Sequence, residues 1–219
     1  MERIPEAEVM EEPAQALAYA RADFAEVNQG FVDRFRTAFP RLTVGRIVDL
    51  GCGPADIPIR LARAVPGLRV IAVDGSTAML VQARKAVAEA GVAEQVRLLH
   101  ARVPGLPFPP EAFDAIISNS LLHHVREPQL FWQEVLGLGR PGAALLVMDL
   151  FRPDSPDRAR EIVEAGAGDE EPILKQDFYN SLLAAFTLDE VRTQLAATLP
   201  HLDCRIVSER HWLVSGRLP

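Results

Sequence analysis

Cysteine, basic charge and long apolar runs are all in short supply in this chain, and each shortage excludes a class. Cys52 and Cys204 are the two cysteines. They are too few for a disulfide framework, and they lack the Cys/His spacing of a zinc motif. No uncharged apolar run reaches the roughly 18 residues of a membrane span, and no secretory leader pattern is present. A cytoplasmic protein without a membrane partner is therefore expected. Lys and Arg number 23 against 30 Asp and Glu, for a formal net charge of −7. That balance works against a nucleic-acid partner held by phosphate attraction. Internal repeats and low-complexity linkers are also missing. With 219 residues, 48% of them hydrophobic, the chain suits one compact domain with a substantial core.

What is present is a regular alternation of strand-like and helix-like segments. Apolar runs at 46–50, 69–74, 96–100, 114–119 and 144–150 read as strands, and 203–208 with 211–216 as a closing pair. This order favours a parallel α/β sheet with helices on both faces. Phe24, Val27, Phe31 and Phe35 recur at helical spacing and predict one amphipathic helix over about 14–38. Thr187 followed by Glu190 has the form of a capping box.

The run Val48-Asp49-Leu50-Gly51-Cys52-Gly53-Pro54 turns a strand into a glycine loop and then a helix. Without a Cβ, Gly51 and Gly53 allow a tight turn or close approach of a ligand. Pro54 suits the first turn of the helix that follows. Val73-Asp74 ends the next strand on a carboxylate, 21 positions after Gly53, where a β-α-β unit delivers an acid to a ribose. A dinucleotide fingerprint asks for a small third residue at position 56. Asp56 stands there and would repel a pyrophosphate, which disfavours a nicotinamide enzyme and favours a nucleoside without phosphates.

With these residues in view, the chain resembles the class I S-adenosylmethionine-dependent methyltransferases. The likeness runs from the glycine loop through Val73-Asp74, Leu106-Pro107-Phe108-Pro109, Phe113 to Asn119, and Leu136 to Leu146. It implies a three-layer Rossmann-like sheet of seven strands, mostly parallel with an antiparallel C-terminal strand. Within one domain, 1–44 would be a helical cap, 45–150 the cofactor-binding core, 151–200 a helical substrate insertion and 201–219 the closing strands.

The resemblance implies S-adenosyl-L-methionine as cofactor, S-adenosyl-L-homocysteine as product, and a set of contacts. Asp74 would accept both ribose hydroxyls, and Gly51, Cys52 and Gly53 would line the nucleoside. Gly75 and Ser76 follow Asp74, although Ser76 also suits a helix N-cap. Asp49 would either hold the loop through backbone N–H groups or reach the cofactor's amino group. Arg102 stands where many members carry an adenine-binding Asp, and since arginine cannot accept a hydrogen bond, the Val103 N–H is left to read the base. Asn119 would sit nearest the methyl group, and Tyr19 and Asn28 would cover the pocket.

Catalytic candidates are His123 and His124, one of which suits proton removal at neutral pH, and Tyr179 in the insertion. Asp149 and Arg152 are further candidates for holding substrate. No metal is expected, because the strand-end acids lack the pairing that holds Mg²⁺. The expected function is methyl transfer to N, O, S or C of a small-molecule acceptor, by a monomer or homodimer. Alternatives are an inactive cofactor-binding or regulatory module, a relative doing other chemistry, and a nucleic-acid methyltransferase of the tRNA type.

Overall fold

The computed structural model describes residues 1–6 and 11–219. Seven strands form one sheet: β1 (Val44–Leu50), β2 (Gly67–Asp74), β3 (Val96–His100), β4 (Phe113–Asn119), β5 (Gly139–Leu150), β6 (Asp203–Ile206) and β7 (His211–Arg217). Their order is β3-β2-β1-β4-β5-β7-β6. β1 to β5 pair in parallel, and β7 runs antiparallel to both β5 and β6. This is the expected seven-stranded, mostly parallel, Rossmann-like arrangement.

Helices α1 (Pro13–Arg21), α2 (Ala25–Ala38), α3 (Asp56–Ala64), α4 (Thr77–Glu89), α5 (Pro128–Leu138), α6 (Pro156–Ala167), α7 (Pro172–Ala184) and α8 (Leu188–Ala196) pack around the sheet. Strand residues alternate between two cores, as the pleat requires. Ile47, Val70, Ile117 and Leu146 join Phe31, Phe35, Leu61 and Leu80 on one face. Val48, Val73, Ile116 and Leu145 join Phe131, Trp132, Val191 and Leu195 on the other.

Three local expectations are corrected. The helix over 14–38 is two helices, because Ala22 is extended and Asp23 Oδ1 accepts the Ala25 N–H at 3.0 Å. Aspartate offers the backbone this local alternative to continuing a helix. The helix after the glycine loop starts at Asp56, with Ala55 in a left-handed conformation before it, so Pro54 lies in the turn rather than the first helical turn. The closing strand β6 stops at Ile206, where the Ser208 hydroxyl takes the His211 N–H and shapes a turn. The capping box forms as expected: Thr187 Oγ1 accepts the Glu190 N–H, and Glu190 returns a carboxylate oxygen to the Thr187 N–H.

Candidate active site

Strand order reverses between β1 and β4, so a crevice opens outside the C-terminal ends of β1, β2 and β4. A cavity of about 730 Å³ fills it. Its walls include Asp49, Gly51, Cys52, Gly53, Asp74, Gly75, Ser76, Arg102, Val103 and Asn119, together with Tyr19 and Asn28. All the residues expected at the cofactor are thus brought to one place.

The glycine loop is stitched to the end of β2. The N–H groups of Gly51 and Cys52 both donate to the Val73 carbonyl, at 2.9 and 2.8 Å. The Gly53 N–H donates to Asp74 Oδ2 at 2.8 Å, and the Ser76 N–H to Oδ1 at 2.8 Å. These bonds bend the loop so that Gly51 and Gly53 take φ of 75° and 52°. A Cβ on Gly51 would also lie 2.9 Å from the Leu121 side chain. Each Asp74 oxygen keeps a further lone pair beyond its N–H bond. Burial raises the pKa of Asp74, and the two backbone donors partly counter it.

Asp49 does not hold the loop, whose N–H groups end on Val73 and Asp74. It is buried at the end of β1, and burial followed by the charge of Asp74 pushes its pKa up to about 8. Ser76 Oγ accepts the Met79 N–H at 3.1 Å, so this hydroxyl caps α4. The Gly75 carbonyl pairs with His100 Nε2 at 2.9 Å. Arg102 is exposed at the cavity rim beside the half-buried Val103.

Asn119 closes β4 with its Oδ1 buried and, among the described residues, without a hydrogen-bond partner. Leaving such an oxygen unmet costs about 1–3 kcal/mol, so it marks a place for a ligand's donor. On the opposite wall, Tyr19 packs against Phe24 with ring centroids 4.7 Å apart. Tyr19 lies 3.9 Å from where a Gly53 Cβ would stand. Burial, followed by the charge of Asp74, raises the Tyr19 hydroxyl to about 12, so it stays protonated. Asn28 Nδ2 donates to Asp56 Oδ2 at 2.9 Å, and Arg60 Nε meets the same oxygen at 2.7 Å. Asp56 is thereby compensated within the cavity wall.

The three catalytic candidates separate. Leu122–His124 is a short 3₁₀ turn, and the two imidazoles stack with centroids 4.2 Å apart. His124 lines the cavity, whereas His123 is 2% exposed behind it. His123 Nδ1 meets Asp149 Oδ1 at 2.6 Å, and its Nε2 lies 3.3 Å from Glu6 Oε1. Burial opposes the charged form of His123, but the Asp149 carboxylate overcomes it and the pKa rises. Asp149 moves the other way, because His123 outweighs the burial that would raise it.

Tyr179 lies away from the cavity walls, packed with Ile162 and Leu182 between α6 and α7, its ring 5.9 Å from the Arg160 guanidinium. Asp149 is occupied by His123. Arg152 is a buried clamp rather than a surface cation, donating to the carbonyls of Met1 and Ala185 and to Glu190. Neither is placed to touch a substrate in the cavity.

Residues 47–142, which carry every strand end of the crevice, match the family described as methyltransferase domain. An uncharacterized methyltransferase of Mycobacterium tuberculosis is 28% identical over 177 residues, covering 79% of this chain and 87% of the relative. The chain carries a methyltransferase domain, and its relatives and structural neighbours support the class I S-adenosylmethionine-dependent methyltransferases. A ubiquinone/menaquinone biosynthesis C-methyltransferase of Syntrophotalea carbinolica is 35% identical to this methyltransferase over 113 residues, 51% of this chain and 46% of the relative. The fold matches a SAM-dependent methyltransferase from Aquifex aeolicus with a TM-score of 0.71 at 18% identity, over 96% of this chain and all of the other.

Sequence reasoning missed Glu6. In the methyltransferase, Arg3 donates to the carbonyls of Ala184 and His123, and the Ile4 N–H to that of Leu183. These bonds carry Glu6 to the histidine pair, where Ser181, 175 positions away in sequence, donates to Oε1 at 2.9 Å. A single glutamate near the start of the chain carries no local signal of such a partner.

Proposed function

We propose that this methyltransferase transfers the methyl group of S-adenosylmethionine to a small-molecule acceptor that enters the cavity beside His124. The observation that carries the reading is the unmet Asn119 Oδ1 in the same cavity as Gly51, Gly53 and Asp74. A donor-rich ligand with a ribose fits that set of groups. S-adenosylmethionine, when bound, supplies an activated methyl group and a positive charge.

In this reading Asp74 accepts the ribose hydroxyls on its spare lone pairs. Gly51 and Gly53 let the nucleoside approach the backbone. Asn119 Oδ1 accepts from the ammonium end of the cofactor, and Asp49 supplies a nearby negative charge when deprotonated. The Val103 N–H donates to the adenine ring, and Arg102 packs over it from the rim. Tyr19, Phe24 and Asn28 cover the site and exclude water. His124 is the candidate catalytic side chain placed next to the acceptor, with His123 behind it as a positioning residue. Holding both reactants in line supplies much of the rate.

A small acceptor is favoured by the cavity's size, which falls in the range of small-molecule pockets. Its charged walls mix signs: Arg21, Arg60 and Arg126 stand with Asp23, Glu89 and Glu127 rather than forming a basic track. Relatives named for C-methyl transfer and for O-methyl transfer to malonyl-[acyl-carrier protein] leave the acceptor atom open. The test is incubation with methyl-labelled S-adenosylmethionine and panels of thiols, phenols, amines, carboxylic acids and tRNA. Label in a small acceptor, with equimolar S-adenosylhomocysteine, is expected. Label in tRNA alone, or in nothing although the nucleoside binds, would refute it.

A further inference from the structure

Beside His124 the cavity meets a side-chain cluster in which methyl transfer as described gives roles to His124 and His123 but none to Glu6. Glu6 Oε1 lies 3.3 Å from His123 Nε2 and 3.4 Å from His124 Nδ1. The ligand atoms of these three residues all lie within 4.8 Å of one another. The geometry points to a divalent metal site of the Zn²⁺ class formed by Glu6, His123 and His124, open toward the cavity along His124.

Spacing is the first argument. Charge-assisted N–H···O bonds run about 2.7–2.9 Å, and both imidazole-to-Glu6 separations exceed this. Zinc takes nitrogen and carboxylate oxygen at roughly 2.0–2.2 Å, so the edge of its tetrahedron is about 3.3–3.5 Å. Both separations to Glu6 match that edge.

Orientation is the second argument. Asp149 Oδ1 lies 2.6 Å from His123 Nδ1, the carboxylate–histidine contact that fixes the ring of a metal ligand. With Nδ1–H given to Asp149, a neutral His123 turns the lone pair of Nε2 toward the Glu6 carboxylate. A positive species has to stand between them, either a proton or a cation, and the spacing favours the cation.

Preorganisation is the third argument. The segment bearing Glu6 is held by Arg3 and Ile4 on the carbonyls of His123, Ala184 and Leu183. Ser181 fixes the Glu6 carboxylate itself. Among the described residues the set is two imidazoles and one carboxylate, three protein ligands as in zinc sites that take a substrate in the fourth position. Resting on the function proposed above, this assigns the acceptor class: an anionic oxygen or thiolate that can enter the coordination sphere.

The test uses untagged, full-length protein stripped by a chelator and titrated with Co²⁺, followed by visible absorption, and with Zn²⁺ by calorimetry. One equivalent of each is expected to bind, with the intense Co²⁺ bands of a low-coordinate site. Glu6→Gln and His124→Ala are expected to weaken Zn²⁺ at least about 100-fold, and Asp149→Asn roughly 10- to 100-fold. His201→Ala, an exposed ring paired with the Arg217 carbonyl at the end of β7, is expected to change nothing. Wild-type protein that takes up no Co²⁺, or uptake unchanged by Glu6→Gln, would overturn the site, and the wild-type titration needs no variant to fold. S-adenosylhomocysteine is titrated into the same sample. Nucleoside uptake without metal uptake overturns the metal site alone; metal uptake without nucleoside uptake supports the site while sinking the cofactor reading.

Discussion

The two ends of the cavity are built by different means. At the strand-end side, backbone does the holding: the Val73 carbonyl and the Asp74 carboxylate take three N–H groups of the glycine loop. At the His124 side, side chains hold one another, with Asp149, His123, Glu6, His124 and Ser181 in one network. A backbone-built end tolerates little variation, because its shape depends on glycines at positive φ. A side-chain-built end can change its chemistry by substitution without moving the sheet. Under the function proposed above, this difference sets a fixed cofactor beside an adjustable acceptor, in keeping with one fold serving many substrates.

The sharpest way to break the backbone-built end is Asp74→Ala. It removes the proposed ribose acceptor and the anchor of the Gly53 and Ser76 N–H groups. Calorimetry is expected to show affinity for S-adenosylhomocysteine reduced by about 2–4 kcal/mol, roughly 30- to 1,000-fold, with the circular dichroism of the fold retained. Unchanged affinity would remove Asp74 from the site. Gly51→Val forces a branched side chain onto a φ of 75° and into Leu121. Thermal unfolding is expected to register a loss of about 1–3 kcal/mol, and nucleoside binding to fall with it.

A smaller effect comes from Asn119→Leu. Removing an unmet buried oxygen leaves stability level or slightly higher, while nucleoside affinity falls by about 1–1.5 kcal/mol, roughly 10-fold. An Asn119→Leu protein that binds as well as wild type would show that this oxygen serves no ligand.

Asp49 sharpens the comparison through pH. Its folded-state pKa, about 8, lies above the usual carboxylate value, so the folded state holds a proton the unfolded chain has released. Its contribution to stability is full below about pH 4 and is lost as pH rises through 8. Asp49→Asn is expected to flatten that slope in urea titrations from pH 5 to 9. The positive charge of S-adenosylmethionine favours the deprotonated form. Its affinity relative to uncharged-sulfur S-adenosylhomocysteine is therefore expected to rise from pH 6 to 9 in wild type and stay level in Asp49→Asn. The smallest effect is that of Tyr179→Phe, which leaves turnover unchanged because the ring packs between α6 and α7. A large fall in turnover would return Tyr179 to the reacting groups.

The same division decides what could be read from the chain. Gly51, Gly53 and Asp74 are legible because a strand–loop–helix unit puts function into contiguous residues and one fixed spacing. The seven strands are legible because their apolar runs are short and evenly interrupted. Splitting of the first helix was hidden for want of a signal before Phe24: Phe24, Val27, Phe31 and Phe35 mark only the second helix, and the break lies just ahead of them, where Asp23 Oδ1 takes the Ala25 N–H. Glu6 was hidden for a different reason: its partners come from the turn after β4 and from α7, and no periodicity links residues so far apart. His123 and His124 could be named from the sequence, but only packing shows that one faces the cavity and the other faces Asp149.

The most direct measurement is a calorimetric titration of the purified protein with S-adenosylmethionine, S-adenosylhomocysteine and NADH at neutral pH. Both sulfur nucleosides are predicted to bind at one per chain in the micromolar range, with NADH far weaker. Tighter binding of NADH, or no binding of either sulfur nucleoside, would contradict the account.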